Sequence, residues 1–325
     1  MENAAQVLRM FGLKYRSMKR ERAFFMCVTD NGLKAVKKAE SVDTVAAAHA
    51  VKEQLANYGI FVNQFNFSVS GLPYAQTAHD VYTVSDYIPY NAAAFCEPQQ
   101  LKAIIEIVAK MHLVCHNLTL PEEYLKKARM RLDSLSLHDI YQKNTKSLRS
   151  HKKSVLRKSR ISDFDMILLN NFDRFMAALN AWYSAAQSSN SERLESEALQ
   201  NKSICHNLLK EENILINGNE IYLTGFSEIS IAHRVNDLAA LIKRYIKACP
   251  DTPISLVEIL EIYNAVCPLS SDETAYLKSL LMFPDKFLEI CQSYYSKKRA
   301  FTPRAFETRM DALIDNYDFF EQYIN

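Results

Sequence analysis

The chain has 325 residues, 48% of them apolar, and its 39 Lys and Arg against 37 Asp and Glu leave a net charge of +2. That is enough length to bury a sizeable core and too little charge for a partner held by bulk electrostatics, and no apolar run approaches the roughly 18 residues of a membrane-spanning helix. The opening MENAAQVLRMFGLKYR carries Glu2 and no apolar core leading to a cleavage site, so no export signal is read and a cytoplasmic address is expected.

Residues 22–39, RAFFMCVTDNGLKAVKKA, contain two alternating β-prone runs joined by Asp30-Asn31-Gly32, whose tolerance of left-handed backbone predicts a tight hairpin. Asp43 or Thr44 is expected to cap the next segment, a helix in which Val45, Ala48, Val51, Leu55 and Tyr58 recur at helical spacing until Gly59 stops it. Further strands are read at 60–69 and at 80–88, the second ended by Pro89. From Gln99 the apolar spacing becomes helical over 99–116, over 122–158 with breaks, and over the amphipathic 163–187. A boundary near 89–98 divides the chain into 1–90 and 91–325. The polar stretch SSNSERLESEALQNK reads as a connection to a second β-prone pair, ILING and NEIYLTGF, turning at Asn217-Gly218-Asn219. Helices follow at 236–248, 254–266, 271–281, 284–299 and 303–324, several opening after Ser, Asp or Pro.

The seven cysteines (27, 96, 115, 205, 249, 267, 291) are scattered and form no C-x-x-C pair, so they read as buried free thiols in a reducing compartment. The six glycines (12, 32, 59, 71, 218, 225) leave little material for a phosphate-cradling loop. None falls in Ser17–Ala23, where several long side chains stand instead.

Cys205-His206-Asn207-Leu208-Leu209-Lys210-Glu211-Glu212-Asn213-Ile214-Leu215 resembles the catalytic loop C-H-x-D-x-x-x-x-N-x-L of aminoglycoside phosphotransferases and, more closely, of the spore-coat-associated CotS family. Downstream, Thr224-Gly225-Phe226-Ser227 resembles the metal-binding I-D-F-D segment, and Asn236-Asp237-Leu238-Ala239 the helix start Y-D-L-A. The resemblance runs nearly end to end. It implies an α+β, bilobal protein-kinase-like fold, with a small antiparallel-sheet N-lobe over 1–90 and a mainly helical C-lobe over 91–325. It further implies that Lys37 is the ATP-positioning lysine, that Glu53 is its partner on the following helix, and that Asp86 and Tyr87 lie on the hinge of a remnant nucleotide cleft. His206 would brace the loop backbone, and Asp237 would bond the loop's amides.

Phosphoryl transfer needs a carboxylate to orient the acceptor hydroxyl and oxygen ligands to hold magnesium. The first position is Leu208, which accepts no proton, and the second is Gly225, which supplies no side-chain oxygen. Of the usual metal set only Asn213 remains, with Asn207, Glu211, Glu212 and Glu228 as the polar groups that could swing in. The expected reading is therefore a pseudokinase with no catalytic residue, no metal and no required cofactor, acting as a protein-binding scaffold in spore coat assembly. The alternative is a noncanonical ATP- and magnesium-dependent phosphotransferase. Segment 126–160, with twelve Lys or Arg and two acids, is expected to dock an acidic partner. No recognised nucleic-acid module accompanies it.

Overall fold

The structure, a computed structural model, describes residues 2–21, 23–116, 118, 136–249, 254–296 and 302–324. In chain order its elements are α1 (Glu2–Met10), β1 (Tyr15–Arg20), β2 (Phe25–Thr29), β3 (Gly32–Ala39), α2 (Val42–Asn57), β4 (Ala75–Gln76), β5 (Val81–Asp86), β6 (Asn91–Ala92) and α3 (Pro98–His116). There follow α4 (Leu137–Val155), α5 (Asp163–Ser188), α6 (Ser191–Gln200), β7 (Ile204–Cys205), β8 (Ile214–Asn217), β9 (Glu220–Leu223) and β10 (Ser230–Ile231). The chain ends in α7 (Val235–Ala248), α8 (Leu256–Asn264), α9 (Ser271–Met282), α10 (Asp285–Tyr295), α11 (Pro303–Asp315) and α12 (Tyr317–Ile324). They form two compact units. The first comprises Met1–Asp133, Glu197–Leu241 and Glu261–Cys267, the second Ser134–Ser196, Ile242–Leu260 and Pro268–Asn325. None of the described helices is long and apolar enough to cross a membrane.

In the first unit a five-stranded antiparallel sheet has the order β1-β2-β3-β5-β4. The β2–β3 hairpin turns where the sequence predicts, with Gly32 at φ +83° and the Thr29 hydroxyl donating to its carbonyl at 2.7 Å. Pairing β3 with β5 sets Val36 opposite Val84 and Lys37 opposite Thr83. Alternation sends Val36 and Val84 into a core with Val7, Leu8 and Cys27, and turns Ala35 and Lys37 to the other face, where the cleft lies. A one-residue slip would exchange the two sets. Helix α2 is capped by Ser41, whose hydroxyl accepts from the Thr44 amide at 3.2 Å, in place of the expected Asp43 or Thr44. Gly59, at φ +73°, follows its end as expected.

Residues 60–69 do not form the expected strand. The segment meets sheet backbone through two isolated bridges, Val62 to Leu223 and Phe65 to Ser85, and turns from residue 69. The β8–β9 hairpin turns at Gly218, with φ +61°, and β7 pairs with β10, so the loop between β7 and β8 is anchored at both ends.

In the second unit a core of stacked aromatics joins α5, α10 and α11: Phe175 lies on Phe287 with centroids 3.7 Å apart, and Phe164 on Tyr294 at 3.9 Å. Serine capping boxes start α4 (Ser136 with Asp139), α5 (Ser162 with Asp165) and α9 (Ser270 with Glu273). The polar stretch expected as a connection contains α6, which buries Leu194 and Ala198 one turn apart. The last expected helix is divided at Asn316 into α11 and α12. Cys27, Cys115, Cys205, Cys267 and Cys291 are buried thiols. Cys96 and Cys249 correct the expectation of thiols throughout: each is disulfide-bonded, a property set by fold geometry that spacing does not reveal.

Candidate functional site

Within the first unit a cleft of about 780 Å3 is walled by β3, α2, the turn after β1, the end of β5, and the loops around Leu208–Asn213 and Thr224–Glu228. Its floor is the resembling catalytic loop. Asp237, in the first turn of α7 and 1% exposed, accepts from the amides of His206 at 2.6 Å and Asn207 at 2.7 Å, and meets His112 Nε2 at 3.3 Å. Burial pushes its carboxyl up, but His112, His206 and these amides outweigh that and hold its pKa below the usual carboxylate range. The expected role of Asp237 as the loop's internal anchor is the one its contacts describe.

His206 is also a brace. Its Nδ1 accepts from the Leu208 amide at 3.1 Å, which leaves Nε2–H to donate to the Thr224 carbonyl at 2.9 Å. That neutral tautomer agrees with burial pushing the imidazole's pKa down. Asn207 adopts φ +62°, a left-handed backbone that asparagine tolerates, and its Nδ2 donates to the Glu228 carbonyl at 2.7 Å and to Ser230 Oγ at 2.8 Å. Its amide nitrogen thus ties the loop to the segment before β10. Leu208, at the base position, lines the cleft with an aliphatic side chain.

At the metal position Gly225 has φ +83°, and a Cβ built there would lie 2.5 Å from both Cγ and Nδ2 of Asn213. The Asn213 amide therefore fills the space in which a side chain at 225 would begin. Its Nδ2 donates to the Leu208 carbonyl at 2.9 Å, while its own carbonyl accepts from the Thr224 amide at 2.9 Å. Among the described residues no group of three His, Cys, Asp or Glu side chains is placed to hold a metal ion. The donor set at this point does not fit magnesium, which needs near-octahedral oxygen ligation. Glu212 and Glu228 line the cleft; Glu211 is not among its lining residues.

Lys37 faces the cleft from β3, as the resemblance implies. Burial in the concavity lowers its pKa, Lys210 lowers it further, and Glu228 opposes both. The expected pairing with Glu53 is not made. Glu53 is 57% exposed, lies 3.8 Å from His49 and does not line the cleft. The residues that α2 turns to the cleft are Thr44, Val45, Ala48 and Lys52, and Glu53 lies about 100° further round the axis than Lys52. Lys52 is 2% exposed; its Nζ donates to the Asn63 carbonyl at 2.7 Å and sits 3.6 Å from the centre of the Phe65 ring. A base therefore occupies the place foreseen for an acid. The spacing of Val45 and Ala48 was a signal for this, but a lysine on an apolar face is usually solvated. Asp86 is among the residues lining the cleft, as expected, and pairs with the buried Lys34, which leaves the sheet on the side away from Lys37. Tyr87 lines the cleft, bonds Leu33 through its backbone amide at 2.9 Å, and has Phe24 and Tyr90 as ring neighbours. Above the cleft Glu21 takes the place of a phosphate-covering glycine turn and pairs with Lys19 at 2.9 Å.

The profile of the family described as "Spore coat putative kinase YutH" matches residues 9–325. Spore coat protein S of Bacillus subtilis (strain 168) is 22% identical over 291 residues, which span 87% of this chain and 80% of that protein. An aminoglycoside phosphotransferase from Alicyclobacillus acidocaldarius superposes with TM-score 0.82 at 15% identity, covering 98% of this chain and 93% of the other. Spectinomycin phosphotransferase, solved with ADP and spectinomycin, superposes with TM-score 0.64 at 12% identity, covering 99% and 93%. At these identities the solved structures show the fold, a kinase-like phosphotransferase fold with a small antiparallel sheet in the N-terminal region and a mostly helical remainder.

Proposed function

The chain belongs to the spore coat YutH family, and from that premise we propose that it is a catalytically silent, kinase-like scaffold, a cytoplasmic protein that binds partner proteins in spore coat assembly. The observation that carries this reading is the Asn213 amide packed over Gly225 beside an aliphatic Leu208. Neither carboxylate of the phosphotransfer pair is present, and at one of the two positions a side chain would displace the Asn213 amide from where it stands. Loss of a positioned acid or base alone lowers rates by about 10²- to 10⁴-fold. The intact bracing by Asp237 and His206 supports a retained scaffold, since those residues hold the loop's shape without taking part in transfer.

The partner side of the reading rests on α4. A groove of about 440 Å3 in the second unit is lined by Arg149, Lys152, Lys153, Leu156, Arg157 and Phe172, with no acid among them. Its charge suits an acidic coat-protein segment, and Leu156, 64% exposed, offers that segment an apolar anchor. The basic residues Lys126, Lys127, Arg129 and Arg131 of the same segment lie outside the described residues.

Thermal denaturation with ATP, with and without magnesium, combined with a γ-phosphate transfer assay, tests the silent cleft. A ligand at 100 times its dissociation constant adds about 2.7 kcal/mol of stability. The expected result is that magnesium adds nothing to the effect of ATP and no phosphate leaves it. A magnesium-dependent shift together with transfer to any acceptor overturns the proposal and favours the noncanonical phosphotransferase.

A further inference from the structure

We propose that the uncharged stretch 54–79 is a self-association surface, on which a second copy of this chain docks across a two-fold axis. The inference goes beyond the scaffold reading above and does not depend on the state of the cleft.

In a chain of which 23% of residues are charged, no Asp, Glu, Lys or Arg occurs from Gln54 to His79. The structure puts much of that stretch at the surface: Tyr58 is 70% exposed and Val69 76%, and Phe61, Phe67 and Leu72 are exposed as well. They follow the chain from the end of α2, past His49, whose ring meets Phe67 edge-on at 5.4 Å, to the end of α1, where the Val69 amide donates to the Met10 carbonyl at 2.9 Å. At about 200 Å2 for a large side chain, these exposures amount to roughly 600 Å2 of apolar surface. That is as much as the largest apolar patch of an ordinary monomer, and about three quarters of what each partner gives to a standard interface.

The backbone of the stretch is underused as well. Residues 60–69 alternate like a strand, yet they meet sheet backbone through two isolated bridges, and the amide and carbonyl of Phe67 bond no described residue. Sheet edges that must stay single carry charges, proline or a covering element. Strand β1 follows that rule with Arg16, Lys19 and Arg20, whereas 60–69 has neither charge nor proline.

The absence of charge identifies the occupant. Across a two-fold axis a surface meets itself, so a charge near the axis faces its own sign, which opposes binding. The basic groove of α4 and the edge of β1 are barred from self-pairing on that ground. The stretch 54–79 is not, and it gives an acidic or basic partner nothing to pair with. A pair formed there carries two copies of the α4 groove.

The experiment is sedimentation velocity of the full chain at rising concentration, and a reversible monomer–dimer equilibrium is expected. Val69→Glu and Phe67→Glu are each expected to weaken it by about tenfold or more, since like charges then face each other across the axis. Arg157→Ala on the basic groove is expected to leave it unchanged. Phe67 packs on His49, so the mostly exposed Val69 keeps the test informative where Phe67→Glu changes folding. Because both copies bring the same surface, an equimolar mixture of the Val69→Glu and Val69→Lys variants is expected to dimerise more strongly than either alone. A chain that stays monomeric at every concentration, including one whose stretch 54–79 is covered only by a different protein, overturns the inference. So does a dimer that both glutamate variants leave intact, or an open series of oligomers in place of a closed pair.

Discussion

Gly225 combines a left-handed backbone at φ +83° with an Asn213 side chain 2.5 Å from where its Cβ would stand. Placing acids at both positions, Leu208→Asp with Gly225→Asp, therefore meets two obstacles. The left-handed conformation costs a non-glycine residue about 1–2 kcal/mol, and Asn213 must also leave its bond to the Leu208 carbonyl. The double variant is expected to melt several degrees lower and to show no magnesium-dependent transfer; an unchanged melting temperature with restored transfer would refute this. Asp237 has the opposite character, a carboxylate whose value lies wholly in structure. Its bonds to two backbone amides are charge-assisted, each worth about 1.5–3 kcal/mol, so Asp237→Asn is expected to cost about 3 kcal/mol in urea unfolding. Because its folded pKa lies below the ordinary carboxylate value, the stability it confers is present above about pH 4 and is lost as pH falls through the folded pKa. The Asn variant should show a flatter acid limb. These two positions were legible in the sequence as a hole and an anchor; the steric closure over Gly225 was not, because it depends on a rotamer of a residue twelve positions earlier.

Helix α2 shows at the scale of an element what spacing tells and what it hides. Its span and its stop at Gly59 follow from apolar recurrence and glycine chemistry, yet the acid expected on its cleft face proved to be Glu53 turned aside, with Lys52 in the interior. Strand β1 escaped detection because its residues are exposed or half-buried throughout, so no alternation marks it, and its edge position demands none. Segment 60–69 has the alternation of a strand, but its Asn63 carbonyl is taken by Lys52 and its Phe65 ring packs on the same amine, contacts that substitute for a ladder. The buried amine makes a prediction of its own. A lysine whose folded pKa lies below its unfolded value of about 10.4 binds more protons unfolded, so its destabilising effect is complete below the folded pKa and fades as pH rises to the unfolded one. Lys52→Met keeps the stem and removes the amine. It is expected to be more stable than the parent at pH 7, with the advantage shrinking by pH 10, and a pH-independent difference in urea midpoint would contradict it.

For the molecule as a whole, the net charge of +2 conceals a strong segregation, since eight of the 39 basic residues and a single acid fall within positions 136–160. The fold class was legible because the loop, hairpin and helix-start motifs keep their spacing even where their acids are gone. Where the basic segment presents its charge was not, because a run of lysines reads the same whether it coats a helix or converges on a groove. The structure gathers Arg149, Lys152, Lys153 and Arg157 around Leu156 and Phe172. Lys152 is drawn over the Phe172 ring at 3.9 Å and meets Asp173 at 3.5 Å, whereas Arg149, Lys153 and Arg157 make no ion pair among the described residues. Convergent unpaired cations beside an exposed leucine should favour an acidic peptide with an apolar anchor over a merely acidic one. A fluorescent peptide of glutamates flanking one leucine is therefore expected to bind more tightly than its alanine counterpart. Its affinity should fall when salt is raised from 0.1 M to 1 M, as the screening length shrinks from about 10 Å to about 3 Å. Arg149→Ala, Lys153→Ala and Arg157→Ala together should weaken it about tenfold without lowering the melting temperature, since exposed unpaired charges contribute little to folding. Equal affinity for the leucine and alanine peptides, or affinity indifferent to salt and to the triple substitution, would mean that α4 carries its charge for solvation and is not a docking surface.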